Sequence, residues 1–232
     1  MSSLFRSLEY EIGMEVWGRL GMFARPDTAP HSRSYPVPPK TAAKGMFESV
    51  LFMPTVEVEP TRVVICSPLN YCSYDYNSMV VSRKQKLIDS GDPMQIREKV
   101  LFEPRYQLYA SVKNADPERI REFLSKKALK HENKQKNHAH AYSDIFNRYL
   151  KNGKSQKRLC LGRARFIAEW GGINENTKVY EDFSGEYHMP VSIYDYPTHG
   201  KIILKESATN PNFKGCVFKK HVIKNGVMHY AR

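Results

Sequence analysis

No apolar run in the 232 residues approaches the roughly 18 that a membrane-spanning helix needs, so a chain threaded through a bilayer by helices is excluded. Nor does the amino terminus carry a signal-peptide pattern, because Glu9, Glu11 and Glu15 interrupt its first hydrophobic stretch, and a cytoplasmic location without membrane contact is expected. Cysteine is sparse. Cys66, Cys72, Cys160 and Cys216 include no C-x-x-C pair and no histidine at zinc-site spacing, so reduced thiols are expected, with no metal and no other cofactor. His138 and His140 stand two apart, which suits neither one helix face nor a zincin motif. Negative charge is short as well. Lysine and arginine outnumber aspartate and glutamate 36 to 24, for a formal charge of +12, and 14 tyrosines accompany them. Cations interleaved with aromatics suit a polyanion with stackable bases, a nucleic acid.

With 41% hydrophobic and 26% charged residues, the chain has ample material for a core. Leu8 to Trp17 alternates, with Tyr10, Ile12, Met14 and Val16 opposite Glu9, Glu11 and Glu15, which predicts a half-buried strand. From Pro39, Ala42, Ala43, Met46, Phe47, Val50 and Leu51 recur at helical spacing. Thr55 to Ser67 reads as a strand in which Pro60 demands a bulge or an edge. Residues 70–99, rich in tyrosine and basic side chains, form either a functional hairpin or a disordered insertion. Val100 to Val112 reads as one returning strand, and Asp116-Pro117 starts a helix with Ile120, Phe123 and Leu124 buried. Lys130 to His140 has the composition of a solvated linker. A helix with Tyr142, Ile145, Phe146, Tyr149 and Leu150 follows, closed by Asn152-Gly153. Gly162 would let another backbone approach, and beyond Trp170 come short strands, with Asn225-Gly226 the best hairpin turn. The order fits an α+β fold, a ferredoxin-like split βαβ domain over residues 1–170 with a basic hairpin insertion at about 70–99, and a small antiparallel sheet over 171–232.

Between the first strand and the first helix, Ser34-Tyr35-Pro36-Val37-Pro38-Pro39 forms a stiff, extended approach that follows Arg25, His31 and Arg33. With Lys40 and Lys44 at the start of the helix, where free N–H groups and the dipole favour anions, this stretch is a candidate phosphate site. An ordinary connection with solvated lysines is the alternative.

Several motifs, in order, resemble a known family. Val16-Trp17-Gly18, Phe23-Ala24-Arg25-Pro26, Ser34-Tyr35-x-Val37-Pro38 and Ala43-Lys44-Gly45-x-x-Glu48-Ser49 are similar to the opening of the type I-C (Dvulg) branch of the CRISPR-associated Cas five proteins, in the repeat-associated mysterious protein superfamily. Ile145-Phe146-x-Arg148, Leu161-Gly162 with Arg163 and Arg165, and Tyr180-x-x-Phe183-x-Gly185-x-Tyr187-His188 continue the likeness. The resemblance implies a subunit of a Cascade surveillance complex that holds the 5′ handle of its CRISPR RNA and contacts the backbone and large subunits, with contact to target DNA left open. It also implies metal-independent cleavage of precursor RNA, through a tyrosine before the first helix and a Lys-His pair at the later one. Those positions are here Lys40, Ala141 and Tyr142. Lys40 could supply charge, Tyr142 or Tyr35 a hydroxyl, and His140 a group titrating near neutral pH. The RNA-binding candidates are Arg25, His31, Arg33, Tyr35 and Lys44 around the loop, Arg83 and Lys84 in the insertion, and Arg163 and Arg165 beside Gly162. A non-catalytic handle-binding subunit and a general single-stranded RNA binder are the alternatives.

Overall fold

The computed structural model describes residues 9–25, 28, 32–78, 94–115, 138–192 and 217–230. Strand β1, Tyr10–Trp17, buries Ile12, Met14 and Val16, as its alternation requires. A two-residue strand β2, Leu20–Gly21, follows. Helix α1, Lys40–Val50, begins after an extended Pro39 and buries Ala43, Met46, Phe47 and Val50, the expected stripe. Strand β3, Val56–Ile65, shifts register between Pro60 and Arg62, so the proline sits at the irregularity that it was expected to cause. Strands β4, Asn70–Ser78, and β5, Met94–Phe102, pair antiparallel along their full lengths, so the insertion is a hairpin in its described part.

The single strand expected over Val100–Val112 is two strands. Glu103, at φ 49, and Pro104 turn the chain between β5 and β6, Arg105–Asn114, and the two belong to different sheets. Helix α2, His138–Lys151, buries Ala139, Tyr142, Phe146 and Leu150 and ends before Gly153, at φ 61. It starts at His138, within the expected linker; the helix expected from Asp116 lies outside the described residues. Strands β7, Glu169–Gly171, β8, Gly185–Ser192, β9, Val217–Lys224, and β10, Val227–His229, complete the chain. Asn225 and Gly226, at φ 47 and 73, make the two-residue turn between β9 and β10 that Asn-Gly predicts.

Among the described residues, one seven-stranded sheet runs β7-β1-β6-β3-β10-β9-β8 and a three-stranded sheet runs β2-β5-β4. The carboxy-terminal strands are antiparallel, as expected, and continue the main sheet through the pairing of β10 with β3. Both helices share one core with the even-numbered residues of β1. On its odd-numbered side, β1 is covered by the chain after β7. Glu15, 2% exposed, accepts hydrogen bonds from Arg105 at 2.7 Å and Thr177 at 3.2 Å, while Gly13 is packed on Ile173. That covering removes this part of the sheet as a platform for bases.

Candidate nucleic-acid interface

The approach to α1 is stitched from two sides. Tyr35 N–H donates to Phe23 O at 2.8 Å and Arg25 N–H to Arg33 O at 3.0 Å, so residues 23–25 and 33–35 run antiparallel. Ser34, 1% exposed, accepts from Phe23 N–H at its hydroxyl, 2.9 Å away. Its own N–H donates to Lys99 O at 3.0 Å, and Lys99 N–H to Ser32 O at 2.9 Å, which ties the loop to β5. A stiff basic loop therefore sits at the root of the β4–β5 hairpin.

Two arginines are displayed there. The Arg25 guanidinium lies 5.6 Å from the Tyr35 ring centroid, and that of Arg33 lies 5.0 Å from Tyr71. Burial pushes the Tyr71 phenol up to about 12, aided by Tyr187 and opposed by Arg33 and Arg25. Burial likewise raises Tyr187, against Arg25 and Arg33. The Tyr71 hydroxyl donates to Ser34 O at 3.4 Å, which ties this ring to the loop beneath Arg33. Such a pair of guanidiniums around one notch, each seated on a tyrosine ring, can hold phosphate oxygens.

The remaining candidates are placed as follows. Tyr35 is 2% exposed, and its hydroxyl donates to His188 O at 3.0 Å, so it supports Arg25 from beneath. Lys40 holds Glu59 of β3 at 2.8 Å, which competes with any phosphate for its charge. Lys44 is half-exposed, 4.0 Å from Glu48. His140 is exposed, with Nδ1 3.3 Å from Asp144 and its ring edge-on to Tyr10. Arg163 is paired with the buried carboxylate of Glu98 and donates to Tyr76 Oη at 3.2 Å; Arg165 lies over the Tyr76 ring at 3.8 Å. Gly162 behaves as expected. An added Cβ would lie 1.9 Å from Met22 O, to which Arg163 N–H donates. His31, Arg83 and Lys84 lie outside the described residues.

Tyr142 is a correction. It is wholly buried, its hydroxyl donates to Leu51 O at 2.8 Å, its ring stacks with Phe146, and burial drives its phenol far above the ordinary range. A group so enclosed cannot reach RNA. Tyr142→Phe should cost about 1 kcal/mol, the net worth of one hydrogen bond, and leave any RNA cleavage rate unchanged; denaturant titration and a cleavage assay check both.

Periodicity alone did not single out Glu98 or Tyr187 as partners of these groups, because each is fixed by a contact with distant chain. Among the described residues, no group of three or more His, Cys, Asp or Glu side chains is placed to share a metal ion.

The sequence and structure have recognisable relatives. The CRISPR pre-crRNA endoribonuclease Cas5d of Thermus thermophilus is 36% identical over 50 residues, 22% of either chain, so the match spans about a fifth of that relative's length. A solved CRISPR-associated protein matches with TM-score 0.63 at 17% identity, over 98% of this chain and 95% of its own. SMU1763c of Streptococcus mutans, a functionally uncharacterized protein, matches with TM-score 0.62 at 15% identity, over 99% and 95%. These likenesses show a shared α+β fold. The family model Cas_Cas5d, CRISPR-associated protein (Cas_Cas5), matches residues 12–219, and the chain belongs to that family.

Proposed function

We propose that this chain is the subunit of a type I-C Cascade complex that caps the 5′ handle of its CRISPR RNA. The observation that carries this is the pair Arg25 and Arg33, each against a tyrosine on a loop fixed at both ends. A fixed RNA segment can be gripped there by cations and stacked bases, while target recognition is left to base pairing by the guide. The backbone and large subunits are the proposed neighbours, with target DNA a further possible contact, in cytoplasmic antiviral defence. The strand order β7-β1-β6-β3, with α1 and α2 crossing between them, supports a ferredoxin-like description of the core. A division at 170/171 is then one of labour, since β10 is hydrogen-bonded to β3 and Tyr187 joins the arginine notch. The test is a filter-binding comparison of handle RNA with a scrambled RNA of equal length at matched salt. Preference for the handle supports the proposal, and equal affinity supports a general RNA binder instead.

Metal-independent cleavage of precursor RNA is the second reading, favoured by the imidazole of His140, exposed at the start of α2. Scission needs a base for the 2′-hydroxyl, charge to stabilise the phosphorane and an acid for the leaving oxygen. With Tyr142 enclosed and Lys40 on Glu59, His140 would take the proton of the 2′-hydroxyl, and the imidazolium so formed would return it to the leaving 5′-oxygen. In EDTA, His140→Ala should abolish the cut in labelled repeat RNA while sparing its binding; equal cleavage by the variant removes His140 from the mechanism.

A further inference from the structure

We propose that the loop after α2, residues 151–158, is a second nucleic-acid surface, which grips phosphodiester backbone beyond the handle; this rests on the chain being an RNA-holding subunit. All eight residues, Lys-Asn-Gly-Lys-Ser-Gln-Lys-Arg, are exposed. With Arg148 one turn back on α2, they present five cations: Arg148, Lys151, Lys154, Lys157 and Arg158. Among the described residues, none of the five lies within ion-pair distance of a carboxylate. Lys40, Arg97, Arg105 and Arg163, by contrast, each hold one.

The loop is also fixed. Lys154 N–H donates to Tyr149 O at 2.9 Å, Gln156 N–H to Val50 O at 3.1 Å and Lys157 N–H to Ser49 O at 2.9 Å, while the Gln156 side-chain oxygen accepts from Phe52 N–H at 2.9 Å. Ser49 and Val50 are at the carboxy end of α1, so the loop satisfies carbonyls that the helix leaves unpaired. Holding like charges together works against compaction, and a complementary polyanion removes that cost.

The position points to a path. The arginine notch precedes α1 through Pro36–Pro39, and this loop is at the other end of the helix, about 16 Å away at 1.5 Å per residue. Arg158 also lines a pocket of ≈ 240 Å³ with Ala42, Gly45 and Ser49 of α1 and Gly162. No aromatic stands in residues 151–158, so the ligand chemistry is phosphate charge without base reading. Two sources fit: the RNA beyond its handle, or a DNA duplex.

The simpler role for these cations is to offset the negative ends of α1 and α2, which would appear in stability rather than in binding. The experiment measures full-length protein carrying K154Q, K157Q and R158Q against three probes: handle-only RNA, repeat RNA extended past the handle, and unrelated duplex DNA. For the extended RNA, the duplex or both, affinity should fall at least about tenfold near 0.1 M salt, and the log–log salt slope should shrink by about 2 on the RNA and about 2.7 on the duplex. Handle-only RNA should bind as before, and K154R with K157R should retain full binding. Loss on one long probe identifies the source. Unchanged affinity and slope on both long probes overturns the proposal, whether or not the melting temperature moves. A wild type that fails to prefer the handle would count against the handle reading alone, because the slope change is measured on the other probes.

Discussion

Arg163→Ala is expected to destabilise the fold by about 3 kcal/mol, the low end for breaking a buried pair, because the Glu98 carboxylate is buried while the Arg163 side chain is 32% exposed. Glu98, 1% exposed, has Arg163 as the cation at its carboxylate, and its Oε2 is buried without a hydrogen-bond partner among the described residues. Removing the guanidinium leaves the carboxylate with only Tyr76 Oη, at 3.5 Å. Glu98 lies on β5 and Arg163 follows Gly162, so the pair fastens the hairpin to the glycine loop. At this chain length the loss corresponds to a melting-point drop of about 6–12 °C. Glu98→Leu with Arg163→Met should recover most of it, since apolar replacement of both partners avoids an isolated buried charge. A drop under about 0.5 kcal/mol for Arg163→Ala would mean that Arg163 is an ordinary surface cation.

The second large effect is on binding. Arg25→Gln with Arg33→Gln should weaken handle RNA about 100-fold, if each guanidinium contributes one charge-assisted contact worth about 1.5 kcal/mol. The salt slope should fall by about 1.4, two single-strand phosphate contacts. The cost to stability should be about 1–2 kcal/mol, because each arginine contributes a partly exposed stack worth about 0.5–1 kcal/mol. Fluorescence anisotropy across a salt series reads both quantities. Unchanged affinity would place the RNA elsewhere.

Local pattern carried much of the fold. The alternation of Ile12, Met14 and Val16, the helical stripe from Ala43 to Val50, the irregularity at Pro60 and the turn at Asn225-Gly226 are each dictated within a few residues. The break between β5 and β6 was not legible, because Val100 to Val112 remains apolar on both sides of Glu103 and Pro104. Tyr142 shows a conflict within the sequence itself. Its spacing with Phe146 and Leu150 puts it on the buried stripe, and that periodicity outweighed the chemistry suggested by its position at the helix start. The pairing of Lys40 was not legible either, since Glu59 is brought to it by the connection from α1 to β3. The notch itself was half legible. The loop cations and prolines stand together in sequence, whereas Tyr71 and Tyr187 arrive from β4 and β8.

The notch is tested most directly by photo-cross-linking. Handle RNA carrying 4-thiouridine at each unpaired position, bound to the full chain and irradiated, should give adducts on peptides containing residues 32–35, Tyr71 and Tyr187. Adducts confined to the opposite side of the main sheet, around Trp17 and Tyr109, with none at the arginine notch, would contradict the account.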